Sequence, residues 1–353
     1  MNAAVFHGPA DVRIEVRPEL GEPGPGELLL EVLRASICGS DAAEYDHGPV
    51  LVPLRCAHAG SGHHGPLVLG HEFVGRVVAR GPGAERFNPG DRVVSGAGVS
   101  CGACPPCRAG RTNLCERYFT LGLQADGGLA ERVLAPASTC VHVPAGCSDD
   151  AAALAQPFAV ALHALRRGEA GPDDTLVVNG AGGIGAFAVA GARAWGVRQI
   201  VAVDVDAARL RTAGRLGAHR LVDARDGDPV EAIMGATGGR GADVVLETSG
   251  TAQAPAICVR GTRAGGRVVI VGLQRRPPVV DLLDVALREI ELRGALAHVC
   301  RVDIPEALRI LAERDVAGEV VDRVIGLSRL VPDGLAPLAA GEVRGKVLVD
   351  PRG

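Results

Sequence analysis

The chain carries two textures of apolar and polar positions. Up to about residue 146, short apolar runs (27–33, 75–79, 92–95) alternate with turn signals: Pro23-Gly24-Pro25-Gly26, Gly81-Pro82-Gly83 and Asn88-Pro89-Gly90-Asp91. Short runs between such breakers predict a compact, mostly β domain with irregular loops. From Asp149 a helical period takes over. Residues 151–165 are alanine-rich and end at Arg166-Arg167-Gly168, a C-terminal signal. Apolar strands at 175–179, 199–204, 220–223, 243–247, 267–272 and 291–294 then alternate with helices at 184–195, 207–216, 229–234 and 254–262. That alternation predicts a parallel sheet with helices on both faces. Past 296 only one helix (304–314) and a strand (346–349) remain, too little for a domain of their own. The expected division is therefore 1–146 completed by 297–353, with 147–296 as the parallel-sheet domain.

Composition narrows the function classes. Among 353 residues, 49 glycines and 23 prolines call for many tight turns. A net charge of −4 argues against a coat for nucleic acid or an anionic membrane, and 3% aromatics are too few for a base-stacking platform. The longest uncharged run, 175–192, is broken by Asn179 and by glycines, which suits a phosphate-binding turn better than a membrane span. The first residues show no secretory signal, so a cytoplasmic protein is expected, and its ten cysteines point to metal or catalysis over disulfides. Lys346 is the only lysine, a bias that reads as genomic base composition and not function.

Two motifs carry specific chemistry. Val177-Val178-Asn179-Gly180-Ala181-Gly182-Gly183-Ile184-Gly185 is a strand, a G-x-G-x-x-G turn and a helix start. Gly180 permits the turn, Gly182 lets backbone approach a pyrophosphate, and Gly185 allows close helix–strand packing. The helix start adds unpaired N–H groups and positive dipole. The next strand ends at Asp204, whose carboxylate accepts ribose hydroxyls and repels a 2′-phosphate, so NAD is expected over NADP. Arg209 either edges the adenosine or is merely solvated. The second motif is Cys101-x2-Cys104-x2-Cys107-x7-Cys115. Four thiolates at such spacing match a closed tetrahedral zinc site that braces a loop; buried free thiols or an iron–sulfur cluster are the alternatives.

The remaining chemistry lies in Ile37-Cys38-Gly39-Ser40-Asp41 and Gly70-His71-Glu72. One thiolate and one imidazole with a third ligand and an open position is a catalytic zinc arrangement. Followed in order by the four-cysteine lobe and the glycine fingerprint, these residues resemble the zinc-dependent medium-chain dehydrogenase/reductase (alcohol dehydrogenase) family. The likeness is strongest to its sorbitol, butanediol and threonine dehydrogenase branch and reaches Gly345-Lys346-Val347-Leu348-Val349. It implies an α/β fold: a GroES-like, mostly β catalytic domain plus a doubly wound parallel-sheet Rossmann domain.

It also implies roles. Cys38 and His71 ligate a catalytic zinc, with Glu72 close behind or transiently bound. Ser40 passes the substrate hydroxyl proton outward and Asp41 orients a ligand. Gly180, Gly182, Gly183, Ile184, Gly185, Asp204 and Arg209 serve the dinucleotide, while Val271, Gly272, Leu273 and the segment around Leu296 flank the nicotinamide. The activity implied is hydride transfer between a secondary alcohol, diol or polyol-like substrate, or its ketone, and NAD. One structural and one catalytic zinc per chain, and a homodimer or tetramer paired near 291–294, go with it.

Two positions depart from the branch. Its E-P-L-x-V-A-x-H pattern stands here as Gln156-Pro157-Phe158-Ala159-Val160-Ala161-Leu162-His163, so a zinc ligated by Gln156 keeps one more positive charge and is held less well. Its relay histidine is here Ala43, and His47 either substitutes or is an exposed loop residue. Gln156 and Ala43 motivate a second reading, a biosynthetic family member running a non-redox or cyclisation step. A third is a non-enzymatic NAD-binding protein. Cys56, His58, His63 and His64 sit in a glycine-rich loop that either binds metal or shapes the substrate pocket, the latter being expected. Cys140, Cys147, Cys258 and Cys300 read as small buried residues.

Overall fold

A computed structural model describes residues 1–274 and 276–353. The chain divides into two compact units, Met1–Gln156 with Val299–Gly353, and Pro157–His298. The first boundary lies ten residues beyond the expected 146. The short helix Asp149–Ala152 belongs with the β unit because two ion pairs tie it there: Arg92 donates to Asp149 and Arg34 to Asp150. The single helix expected over 151–165 is accordingly two, Asp149–Ala152 and Ala155–Arg167.

In the first unit the largest sheet runs Cys140–His142, Arg92–Ser95, Glu72–Arg80, Glu27–Ser36, Lys346–Asp350, Val321–Gly326, with Arg132–Pro136 also on the Glu27–Ser36 strand. Its core is filled by fully buried Phe6, Phe73, Phe87 and surrounding aliphatics. The C-terminal strand is thus an inner strand, held between Glu27–Ser36 and Val321–Gly326.

The second unit is a six-stranded, wholly parallel sheet in the order Arg220–Asp223, Gln199–Asp204, Thr175–Asn179, Ala242–Glu247, Thr262–Ile270, Glu291–Gly294. The strand order reverses at Thr175–Asn179, and in doubly wound sheets a crevice opens at the carboxyl ends of such strands. Helix Gly183–Ala194 follows that strand directly, and Phe187 on it stacks on Phe158 at 5.3 Å. Among the described residues no helix is long and apolar enough to cross a membrane.

Candidate functional site

Strand register assembles the first cluster. Ser36 pairs with Glu72 on one side and Leu348 on the other, and the Ile37 N–H donates to the Val347 carbonyl. The end of the Glu27–Ser36 strand therefore delivers Cys38 between Glu72 and Lys346. Helix Gly39–His47, which periodicity did not reveal, starts immediately after: the Cys38 N–H donates to Asp41 Oδ2 at 2.8 Å, capping the helix and fixing the Cys38 backbone.

Cys38, His71 and Glu72 bring one ligand atom each to within 4.8 Å of one another. His71 has two polar neighbours: Asp41 Oδ1 lies 3.6 Å from Nδ1, and Ser40 Oγ lies 3.4 Å from Nε2. Asp41 and Glu72 are both fully buried. Four buried polar atoms here, Ser36 Oγ, Asp41 Oδ1, His71 Nδ1 and Glu72 Oε1, have no hydrogen-bond partner. Such a concentration of unsatisfied groups is what a missing ion would relieve, and a thiolate, an imidazole and a carboxylate are a zinc donor set. Burial pushes the His71 imidazolium down, yet the Asp41 and Cys38 anions lift it well above the usual histidine range.

Lys346 completes the cluster. Its ammonium donates to Glu72 Oε2 at 2.5 Å and to the Ile37 carbonyl at 2.9 Å. Burial pulls the Lys346 pKa down, but Glu72 and then Cys38 more than offset this. The only lysine of the chain is thus buried against a carboxylate of this cluster. Gln156 is buried at the start of helix Ala155–Arg167. His47 ends its helix with the side chain exposed against Asp46.

Cys101, Cys104, Cys107 and Cys115 also gather within 4.8 Å, around the one-turn helix Pro105–Arg108. Backbone N–H groups point at the sulfurs: Cys101 N to Cys115 Sγ at 3.2 Å, Arg117 N to the same sulfur at 3.3 Å, and Cys104 N to Cys101 Sγ at 3.4 Å. Backbone N–H groups of Ala103 and Cys104 hold the Cys101 thiol down at about 6, while burial pushes Cys107 up to about 12. Four convergent sulfurs fit a closed tetrahedral ion. All ten cysteines are free, and Cys140, Cys147, Cys258 and Cys300 are buried, as expected. The 54–65 loop does not form a third metal group among the described residues. His58 Nδ1 instead accepts the Gly60 and Ser61 N–H groups, and His63 Nε2 faces the Gly65 and Pro66 carbonyls. These rings stabilise their own loop.

In the second unit the glycine turn forms as its spacing implies. Gly180 takes φ +104°, and Gly182 caps helix Gly183–Ala194. Asp204 is buried at its strand end, where Oδ2 accepts the Ala181 N–H at 2.7 Å and Oδ1 the Asp206 N–H at 2.8 Å. A cavity of about 500 Å³ is lined by Gly180, Gly182, Asp204, Arg209, Thr248 and Ser249 among others. Thr248 and Ser249 also line a second cavity of about 340 Å³, shared with Gly272 and Leu273. Ile184 is half-buried beside the turn, and Leu273 and Leu296 are exposed. Beneath the bridge between the cavities lies Glu247, fully buried, which sequence reasoning missed. Its Oε1 accepts Ser249 N, Ser249 Oγ and Gly250 N, and its Oε2 accepts Gln274 Nε2 at 2.7 Å. One carboxylate thus fixes both loops that face the cavities; a glutamate ending an apolar strand was the only signal for it. An open cradle at Gly182 and a carboxylate at the next strand end fit a dinucleotide.

Two family profiles match the chain: "Alcohol dehydrogenase GroES-like domain" over residues 24–145 and "Zinc-binding dehydrogenase" over residues 183–313. Over 303 residues it is 33% identical to sorbitol dehydrogenase of Bacillus subtilis (strain 168), covering 84% of this chain and 82% of that one. The chain belongs to the zinc-dependent alcohol dehydrogenase family. Within that family it is also similar to L-threonine 3-dehydrogenase of Anaeromyxobacter sp. (strain K), 36% identical over 77% of this chain and 76% of the other. The crystal structure of 2R,3R-butanediol dehydrogenase from Bacillus subtilis superposes with a TM-score of 0.91 at 31% identity, covering 99% of each chain. The dehydrogenase is therefore an enzyme that moves hydride between an alcohol and a ketone. Non-redox and non-enzymatic readings are not favoured.

Proposed function

We propose that this dehydrogenase is NAD-dependent, carries two zinc ions per chain and oxidises a secondary hydroxyl of a diol or polyol-like substrate. The observation that carries the reading is the convergence of Cys38, His71 and Glu72 beside four unsatisfied buried polar atoms. Similarity to sorbitol and butanediol dehydrogenases supports the substrate class. When bound, zinc supplies Lewis acidity to a substrate hydroxyl and the nicotinamide accepts the hydride from its carbon. The chain's own residues do the rest. Cys38, His71 and Glu72 would hold the ion, and Gln156, if it also reached the metal, would add a ligand without charge. Asp41, which faces Nδ1 at 3.6 Å, would orient the His71 ring. Ser40 receives the hydroxyl proton; since Ala43 carries none onward, the path continues in water. Gly182 and the following helix start take the pyrophosphate, and Asp204 takes the adenosine ribose.

Asp204 carries the preference for NAD. It is buried, anionic and already turned toward the glycine loop by the Ala181 N–H. A 2′-phosphate there would meet like charge in a site of low dielectric. The four-cysteine lobe would hold the second zinc without chemistry. Ten free cysteines suit a reducing compartment and support a cytoplasmic location. Strand Glu291–Gly294 has a sheet neighbour on one side only among the described residues, and Leu282, Leu283, Leu287 and Leu292 are exposed near it. A free edge beside exposed leucines supports pairing of two copies there. The test is nicotinamide absorbance with secondary alcohols, vicinal diols and polyols offered with NAD or NADP. Turnover with a diol or polyol and NAD is expected; turnover without nicotinamide, or with NADP preferred, would refute the reading.

A further inference from the structure

One cation in this chain stands apart from the rest. Of 37 basic residues, 36 are arginines, and the single lysine, Lys346, is buried with its ammonium on Glu72. The two cations differ in geometry. A guanidinium is a planar fork that takes both oxygens of a carboxylate, whereas an ammonium is a point donor that takes one. Lys346 takes Oε2 of Glu72 and turns a second donor to the Ile37 carbonyl, leaving Oε1 buried and without a partner. Its carbon stem is packed in the strand that pairs with Ser36, so the ammonium cannot retreat to water. We propose that Lys346 is a positioning residue for the metal centre: it holds Glu72 by one oxygen, competes with the metal for that carboxylate, and so keeps Glu72 an exchangeable ligand.

This role of Lys346 rests on the metal site proposed above. Glu72 is the only carboxylate grouped with Cys38 and His71 among the described residues, and position 156 offers a neutral carboxamide. Whatever anionic charge beyond Cys38 the ion receives therefore comes from Glu72. A buried ammonium in contact with Glu72 lowers its donor strength toward a second cation. It also neutralises the carboxylate when the carboxylate is off the metal, which stabilises the detached arrangement. Both effects act in one direction. They weaken metal retention and keep a coordination position open to substrate oxygen, a property a dehydrogenase of this kind needs and a closed structural site does not.

The test measures zinc release from the full-length protein into excess chelator, with the four-cysteine lobe intact as an internal reference. Lys346→Met should slow release of zinc from the Cys38 site by about tenfold. Lys346→Gln, which keeps a donor for the Ile37 carbonyl, should act in the same direction if the methionine variant folds poorly. In a Glu72→Gln background, removing the lysine should change release by less than about threefold, because the interaction it acts through is gone. Cobalt substitution gives a second readout: the visible spectrum of the Lys346→Met protein should shift toward the spectrum of a more closed coordination sphere. Unchanged or faster zinc release in both lysine variants would overturn the proposal. A Cys38→Ser protein measured alongside separates the two claims. If it keeps both zincs, the metal site itself is wrong; if it loses one while the lysine variants behave as wild type, only the role of Lys346 fails.

Discussion

Replacing Gly182 and Gly185 by alanine, one at a time, separates cofactor binding from folding within a single turn. A Cβ at Gly182 would meet nothing nearer than the Arg209 guanidinium at 3.9 Å. At Gly185 it would lie 1.8 Å from the Gly180 carbonyl oxygen and 3.0 Å from Thr248 Oγ1. Restoring ordinary contact at 3.4 Å requires a shift of 1.6 Å, 3.4 less 1.8, between backbone segments. That shift also breaks the hydrogen bond from Thr248 Oγ1 to the Gly180 carbonyl, 2.6 Å long. Overpacking of this kind together with one lost hydrogen bond costs about 3 kcal/mol. For a domain of this size that is a fall in Tm of roughly 6–12 °C. Gly182→Ala costs only the difference between two helix-capping residues, at most about 1 kcal/mol. Its methyl instead occupies space the pyrophosphate needs, so the Kd for NADH should rise roughly 10–100-fold, or about 1.4–2.7 kcal/mol. Circular dichroism melts and NADH fluorescence titrations measure the two effects. If Gly182→Ala melted as low as Gly185→Ala, or bound NADH like wild type, the assignment of the turn would be refuted.

Three further outcomes follow from other parts of the molecule. Asp204→Asn removes the charge but keeps an acceptor for Ala181, so the ratio of kcat/KM for NAD over NADP should drop roughly 10–100-fold; an unchanged ratio would mean Asp204 does not read the ribose. Cys104→Ser should cost one zinc per chain and lower Tm, while the protein that remains folded keeps alcohol-dependent NADH formation; metal analysis with a thermal melt decides this. Asp243 is pushed up by burial but held below the usual carboxylate range by Arg263, the Thr175 N–H and Arg240. Its stabilisation is therefore complete above the unfolded value of about 3.9 and lost as pH falls through the lower folded value. Asp243→Asn should cost about 1–3 kcal/mol at neutral pH and differ little from wild type in strong acid, as denaturant melts across pH would show.

The strand and helix periods of the second unit were readable because its central elements, such as Thr175–Asn179, Gln199–Asp204 and Gly183–Ala194, are buried. Strands at 175–179, 199–204, 220–223 and 291–294 stand at those bounds. The helix Gly39–His47 was hidden because it is short and polar and its cap comes from Asp41, whose partner is a backbone N–H that no residue pattern displays. The four-cysteine group and the glycine turn were legible since their donors lie close in sequence. Glu72 and Lys346 are 274 residues apart and meet only through the register of two strands on Ser36, which no local pattern encodes. Glu247 escaped for a related reason: its four acceptor contacts are made to loops, and loop position follows from the sheet order.

The most direct test of the central claim is zinc stoichiometry and alcohol-dependent NADH formation measured together on wild type and Cys38→Ser. Wild type is expected to hold two zinc ions per chain and to reduce NAD with a diol or polyol. Cys38→Ser should keep one zinc, fold normally and lose turnover by at least about 10³-fold. A Cys38→Ser protein that retained both zincs or wild-type turnover would contradict a catalytic metal at Cys38, His71 and Glu72.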